Sequence, residues 1–105
     1  MSEAWRRVAR NDELLMGEPL GVSLDGRQIA LYRVQDAVYA TGNVCTHAFA
    51  LLSDGYLDGC EIECPLHNAR FDVRTGAALS SPATAALPTY PLRVNGNDLE
   101  ILLPA

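Results

Sequence analysis

Short runs rich in Val, Ile, Leu and Tyr, broken by the pairs Asp25-Gly26, Asp54-Gly55, Asp58-Gly59, Thr75-Gly76 and Asn95-Gly96, set the rhythm of this sequence. Gly adopts positive φ without strain and Asp and Asn tolerate it, so each pair marks a place where a strand can reverse. The runs predict strands over Trp5 to Ala9, Leu20 to Leu24, Arg27 to Val34, Ala37 to Thr41, Glu61 to Cys64, Tyr90 to Val94 and Leu99 to Leu103. "LGVSLDGRQIALYRV" reads as a hairpin and "YPLRVNGNDLEILL" as a second. Helical periodicity is scarce: "NDELL", Asn11 to Leu15, has room for one turn before Gly17 and Pro19. "LSSPATAALPTYP", with Pro82, Pro88 and Pro91, predicts an extended return loop. The expected fold class is all-β: an antiparallel sandwich from residues 1–41 and 80–105, carrying a specialised insertion over 42–79.

The 105 residues suffice for one small domain. With 49% apolar and 20% charged residues, the chain lies far from the disordered regime. A net charge of -5 and a pI near 4.8 oppose binding to nucleic acid or anionic membranes and favour a basic protein partner. "MSEAWRRVARNDELL" has no charged start leading into an apolar run, and no apolar stretch approaches the roughly 18 residues of a membrane span. These features predict a soluble, cytoplasmic protein, and a monomer is expected. Three cysteines do not make a disulfide framework, which leaves metal ligation as their better use.

All the cysteines and both histidines fall between Cys45 and His67. Cys45-Thr46-His47 is followed, after the sixteen residues Ala48 to Glu63, by Cys64-Pro65-Leu66-His67. Each half offers one thiolate and one imidazole. Two like halves suit a two-iron cluster in which one iron takes both sulfurs and the other both nitrogens, the Rieske 2Fe-2S arrangement. A zinc site from the same four residues is the competing reading. Compact zinc fingers usually pair Cys with Cys and His with His, whereas both halves here are mixed, and the mixing favours iron.

"CTH", "CPLH" and "RFDVRTG", with "LYRVQDAVYAT" before, "LSDGYLDG" between and "SPAT" after, resemble the Rieske ferredoxins of bacterial aromatic-ring-hydroxylating dioxygenases, most closely the naphthalene-dioxygenase type. The resemblance implies a Rieske β-sandwich with an inserted cluster-binding subdomain and one 2Fe-2S cluster. It implies Cys45 and Cys64 on the inner iron, His47 and His67 on the outer, and Pro82 in a third loop over the cluster. Related ferredoxins often carry Gly where this chain has Ala48 and Ala69, so either these alanines keep ordinary backbone angles or the loops are reshaped. High-potential respiratory relatives add two cysteines where this chain has Ala50 and Leu66, and a serine and a tyrosine where it has Ala69 and Phe71.

Other chemistry-bearing residues read more plainly. Cys60 repeats no ligand spacing and suits a turn beside Gly59. Trp5, Tyr32, Tyr39 and Tyr90 fit strand positions and read as packing residues rather than an electron relay. Asp54, Asp58, Glu61, Glu63 and Asp72 outnumber Arg70 and Arg74 in the insertion; they solvate a face or, with Phe49, Leu51, Pro65 and Leu66, form a docking surface for basic partners.

The resemblance thus implies a one-electron carrier, not itself an enzyme, running between a flavin-dependent ferredoxin reductase and a terminal aromatic-ring dioxygenase. The alternatives are the Rieske small subunit of a nitrite reductase or other oxidoreductase, and a zinc-stabilised interaction module. Elemental analysis of the purified protein is expected to return two irons and two acid-labile sulfides per chain. One zinc and no sulfide would refute the reading, and Cys60→Ser is expected to leave iron content and colour unchanged.

Overall fold

The computed structural model describes residues 4–46, 50–66, 68–80 and 85–104. Its strands are β1 (Trp5–Arg10), β2 (Leu20–Leu24), β3 (Arg27–Val34), β4 (Ala37–Gly42), β5 (Tyr56–Asp58), β6 (Glu61–Glu63), β7 (Arg70–Asp72), β8 (Thr89–Tyr90), β9 (Leu92–Asn95) and β10 (Asp98–Leu102), with 3-10 turns at Asn11–Glu13 and Leu52–Asp54. They form three antiparallel sheets, ordered β1-β10-β9, β2-β3-β4-β8 and β5-β6-β7.

The middle sheet is covered on both faces, and β3 shows why. Ile29, Ala30, Leu31 and Tyr32 are all fully buried. Successive strand residues point to opposite faces, so this run feeds two cores. Ile29 and Leu31 pack with Ala9, Leu14, Ala40, Leu99 and Ile101, joining the sheet that unites both ends of the chain. Ala30 and Tyr32 pack the other way, with Cys45, Leu52, Ile62, Cys64, Ala69, Phe71, Val73 and Leu87. The short sheet β5-β6-β7 therefore has no core of its own and rests on β3.

The turns follow the predicted chemistry with two exceptions. Asp25 (φ 53) and Gly26 (φ 76) turn β2 into β3, and Gly59, Gly76 and Gly96 also take positive φ. Between β3 and β4 the left-handed residue is Gln35 (φ 54), a turn that no glycine announces. Asp54-Gly55 is not a hairpin turn: Gly55 is extended (φ -90, ψ -160) and caps the second 3-10 turn. Glycine is needed there for proximity, because a Cβ would stand 2.1 Å from the carbonyl oxygen of Glu63. β5 and β7, three residues each, were not expected from the hydrophobic pattern. The one strand expected over Tyr90 to Val94 is divided at Pro91 between β8 and β9 of different sheets, since proline has no N–H to continue a ladder. The 3-10 turn at Asn11–Glu13 agrees with the single turn expected there. Arg33 anchors it, donating to the Leu14 carbonyl at 2.9 Å and to the Asn11 side chain.

Tyr32, Tyr39 and Tyr90 are packing elements of the two cores. Tyr32 is fully buried and its hydroxyl pairs with Thr41 Oγ1 at 3.0 Å. Arg93 lies 4.1 Å above the Trp5 ring and also pairs with Glu100, which fastens β1 to β9 and β10.

Gly17 and Gly76 have the same φ of 81, but a Cβ on Gly17 would meet nothing within 4 Å whereas one on Gly76 would stand 2.2 Å from the Leu87 carbonyl oxygen. Gly17→Ala is expected to cost about 1 kcal/mol of unfolding free energy through φ alone. Gly76→Ala is expected to cost about 3 kcal/mol, since the clash is with backbone. Urea denaturation of the two variants measures the difference, and equal losses would contradict the contact.

Candidate metal centre

Two loops of the same construction carry the cysteines. Cys45 follows β4 and its N–H donates to the Ala50 carbonyl at 2.9 Å; Cys64 follows β6 directly and its N–H donates to the Ala69 carbonyl at 2.7 Å. Each bond closes a four-residue connection, 46–49 in one loop and 65–68 in the other. The sequence puts His47 in the first and His67 in the second. Both histidines lie outside the described residues, as do Ala48, Phe49 and Pro82.

The structure brings the two cysteines together. Cys45 is 3% exposed and Cys64 fully buried, and their side chains lie within hydrogen-bonding reach of each other. Burial pushes the Cys64 thiol up to about 11, opposed by the Leu66 backbone N–H directed at the sulfur and reinforced by the Cys45 thiol. Two buried sulfurs facing each other repel as thiolates unless a cation lies between them. An N–H aimed at sulfur stabilises the charge that ligation leaves there. This donor set fits metal.

Loop geometry answers the question of the missing glycines where it is described. The left-handed residue of the second loop is Asn68 (φ 60), and Ala69, fully buried, keeps negative φ. Alanine is therefore accommodated without strain at position 69.

Cys60 sits in the β5–β6 turn, one strand away from Cys64 and about 13 Å along an extended chain. It is half-buried and its carbonyl accepts the Val73 N–H at 2.9 Å. That position agrees with a turn residue rather than a fifth ligand.

The acidic residues separate into groups that the sequence does not distinguish. Arg70 reaches Glu61 at 3.4 Å and Glu63 at 2.9 Å, across neighbouring strands, and Arg74 reaches Asp72 at 2.9 Å. Arg74 holds the Asp72 carboxyl below the usual range. Asp58 and Glu61 stand opposite each other in strand register at the turn end of the β5–β6 hairpin, the end remote from Cys64. Asp54, by contrast, borders an apolar hollow of about 360 Å³ beside the loops, lined by Val44, Ala50, Leu51 and Pro65. Val44 and Leu51 in its lining are at least 40% exposed, and so is Leu66, next to Pro65 in the sequence. Leu51 and Pro65 were expected on this face from their places beside the ligands; Val44 and Ala50 were not, and the Val44–Leu51 bridge and the Cys45–Ala50 bond place them there.

Residues 4–91 match the family described as the Rieske [2Fe-2S] domain. The ferredoxin component of the naphthalene 1,2-dioxygenase system of Pseudomonas aeruginosa is 48% identical over 101 residues, 96% of this chain and 97% of that one. The ferredoxin in a complex of reduced oxygenase and oxidized ferredoxin in carbazole 1,9a-dioxygenase superposes with a TM-score of 0.87 at 38% identity, covering 93% of this chain and 92% of that one. A putative NADH-dependent nitrite reductase small subunit from Mycobacterium tuberculosis also reaches a TM-score of 0.87, at 30% identity, covering 100% of this chain and 99% of that one.

Ala69 and Phe71 are both fully buried against the cysteine loops, and neither carries a hydroxyl to stabilise an added electron. Voltammetry is expected to give a midpoint potential near the low end of the Rieske range, about -150 mV. Ala69→Ser or Phe71→Tyr is expected to raise it. A clearly positive wild-type value would overturn this account.

Proposed function

This chain belongs to the Rieske [2Fe-2S] domain family, and from that premise we propose that it is the electron-carrying ferredoxin component of an aromatic-ring dioxygenase system. The observation that carries the reading is correspondence along the whole chain with a ferredoxin component of nearly the same length. Such components carry electrons and leave oxygenation to a separate enzyme. The cofactor is one Rieske 2Fe-2S cluster. In our assignment Cys45 and Cys64 hold its inner iron and His47 and His67 its outer iron, within a cluster-binding part of residues 42–79 set on a base of 1–41 and 80–105. When bound, the cluster supplies the capacity to accept and release one electron.

The chain's own residues supply the rest. Leu52, Ile62, Ala69 and Phe71 exclude water from the inner side of the cysteine loops. The Leu66 N–H stabilises charge on the Cys64 sulfur. Val44, Leu51, Pro65 and Leu66 present an apolar rim that loses water when a partner docks. Asp54 beside that rim steers a basic partner.

We assign the edge bearing His47 and His67 as the side from which both partners approach, a flavin-dependent reductase and the terminal oxygenase. A relative's structure in complex with its oxygenase supports the second. Among the described residues no helix is long and apolar enough to cross a membrane; a monomeric shuttle in the cytoplasm is part of our proposal. The nitrite reductase alternative has weaker support, at 30% identity against 48%.

A steady-state assay with reductase and oxygenase tests the assignment. Leu66→Glu is expected to slow electron transfer about tenfold at unchanged cluster content and potential, and raised salt is expected to slow wild type by screening Asp54 and its neighbours. If neither manipulation changes the rate, docking occurs on another face.

A further inference from the structure

The two cysteine loops are closed alike but supported unequally. Beyond Cys64 and Ala69 the second loop continues into paired strands, Glu63 opposite Arg70, Ile62 opposite Phe71 and Glu61 opposite Asp72. Beyond Cys45 and Ala50 the first has the single bridge between Val44 and Leu51 and one more bond, from the Leu52 N–H to the Asn43 carbonyl at 2.8 Å. The outgoing limb then leaves into the 3-10 turn Leu52–Asp54. Among the described residues no strand continues alongside it to receive the next N–H, that of Ser53.

The side chain of Asn43 takes that place. Its Oδ1 accepts the Ser53 N–H at 2.8 Å and its Nδ2 donates to Ser53 Oγ at 2.9 Å. Its own N–H donates to the Gln28 carbonyl at 2.9 Å, which fixes the same residue to β3. Asn43 is 1% exposed and, with Thr41, makes up the buried polar residues among those described. Its main-chain N–H and carbonyl and both ends of its amide are engaged. The surroundings are shaped to admit this contact: a Cβ on Gly21 would stand 2.7 Å from Ser53 Oγ and 3.1 Å from Asn43 Nδ2.

We propose that Asn43 is the positioning residue of the Cys45–His47 loop, its side-chain amide replacing the strand pairing that the Cys64–His67 loop receives from its sheet and so keeping Cys45 in reach of Cys64. The proposal rests on the reading of these loops as the cluster site. Removing the amide leaves the buried end of the limb without its acceptor and frees the limb to move relative to β3. Aspartate can do the same work, because a carboxylate accepts the Ser53 N–H and also the Ser53 hydroxyl once that hydroxyl rotates to donate.

The test uses the cluster-loaded protein and three readouts: hydrogen exchange by mass spectrometry, the rate of iron release to a chelator, and the electron paramagnetic resonance spectrum of the reduced state. Asn43→Ala is expected to speed exchange over residues 51–55 about tenfold, the effect of one lost buried hydrogen bond, while residues 60–64 keep wild-type protection. Iron release is expected to quicken and the resonance lines to broaden. Asn43→Asp is expected to restore protection and iron retention. Ser53→Ala, which removes only the bond to Nδ2, is expected to show the same pattern at smaller size, and it carries the test if Asn43→Ala does not fold. Equal acceleration over both peptides would mean general destabilisation and would overturn the proposal. So would an aspartate variant no better than alanine, or a Ser53→Ala protein indistinguishable from wild type. Metal and sulfide content of the wild-type protein checks the cluster reading separately, since the exchange pattern reports on the limb whatever metal is bound.

Discussion

The alternation of side chains along β3 is the constraint on which the rest depends. One strand supplies both cores, with Ile29 and Leu31 on one face and Ala30 and Tyr32 on the other. Burying each of these aliphatic or aromatic side chains contributes on the order of 1.5–3 kcal/mol, and the alanine less. A slip of one residue in the β2–β3 or β3–β4 pairing would exchange the two sets, placing Tyr32 where Leu31 fits and withdrawing support from the inserted sheet. The Tyr32 hydroxyl marks the correct register, because its bond to Thr41 Oγ1 satisfies a polar group that would otherwise be buried alone.

The short sheet β5-β6-β7 shows how little regular structure suffices to direct a buried cysteine when its outer contacts are borrowed. Its three strands are three residues long, below what stands alone in water. What they accomplish is directional. β6 leads straight into Cys64, and β7 leaves the loop through Ala69 with Phe71 turned inward. The other loop takes its direction from β4 through Gly42 and Asn43, so each cysteine issues from a different sheet and the two meet over Tyr32 and Leu52.

How much of this is legible in the sequence depends on the range of the interaction responsible. The long strands were, since alternation and Asp-Gly or Asn-Gly turns are local signals, and so was the convergence of Cys45 and Cys64, which head two like motifs. The strands β5 and β7 were not, because three residues cannot display a period and their pairing is settled by burial of Leu57, Ile62 and Phe71 against β3. Gly55 looked like a turn residue; its true constraint is the Glu63 carbonyl, a contact that no local pattern reveals. The acidic residues were legible as a group but not in their pairings, which depend on cross-strand register with Arg70. Asn43 carried no signal, since a buried, satisfied asparagine has the same letter as a solvated one.

The pairing pattern also orders events in time. Strands β2, β3 and β4 are successive neighbours, as are β5, β6 and β7, and every one of these contacts lies within residues 20–72. β1 has no such neighbour: its partner is β10, with Trp5 opposite Leu102. Contacts close in sequence form faster than those that must first close a long loop. On a chain emerging from synthesis, strands β2 to β7 have their sequence neighbours at hand before β10 exists to pair with β1, while Leu87 and β8 join the same core and sheet later. The strands around the two cysteines are thus joined mostly by local pairings, and the sheet of β1, β9 and β10 by one that spans the chain.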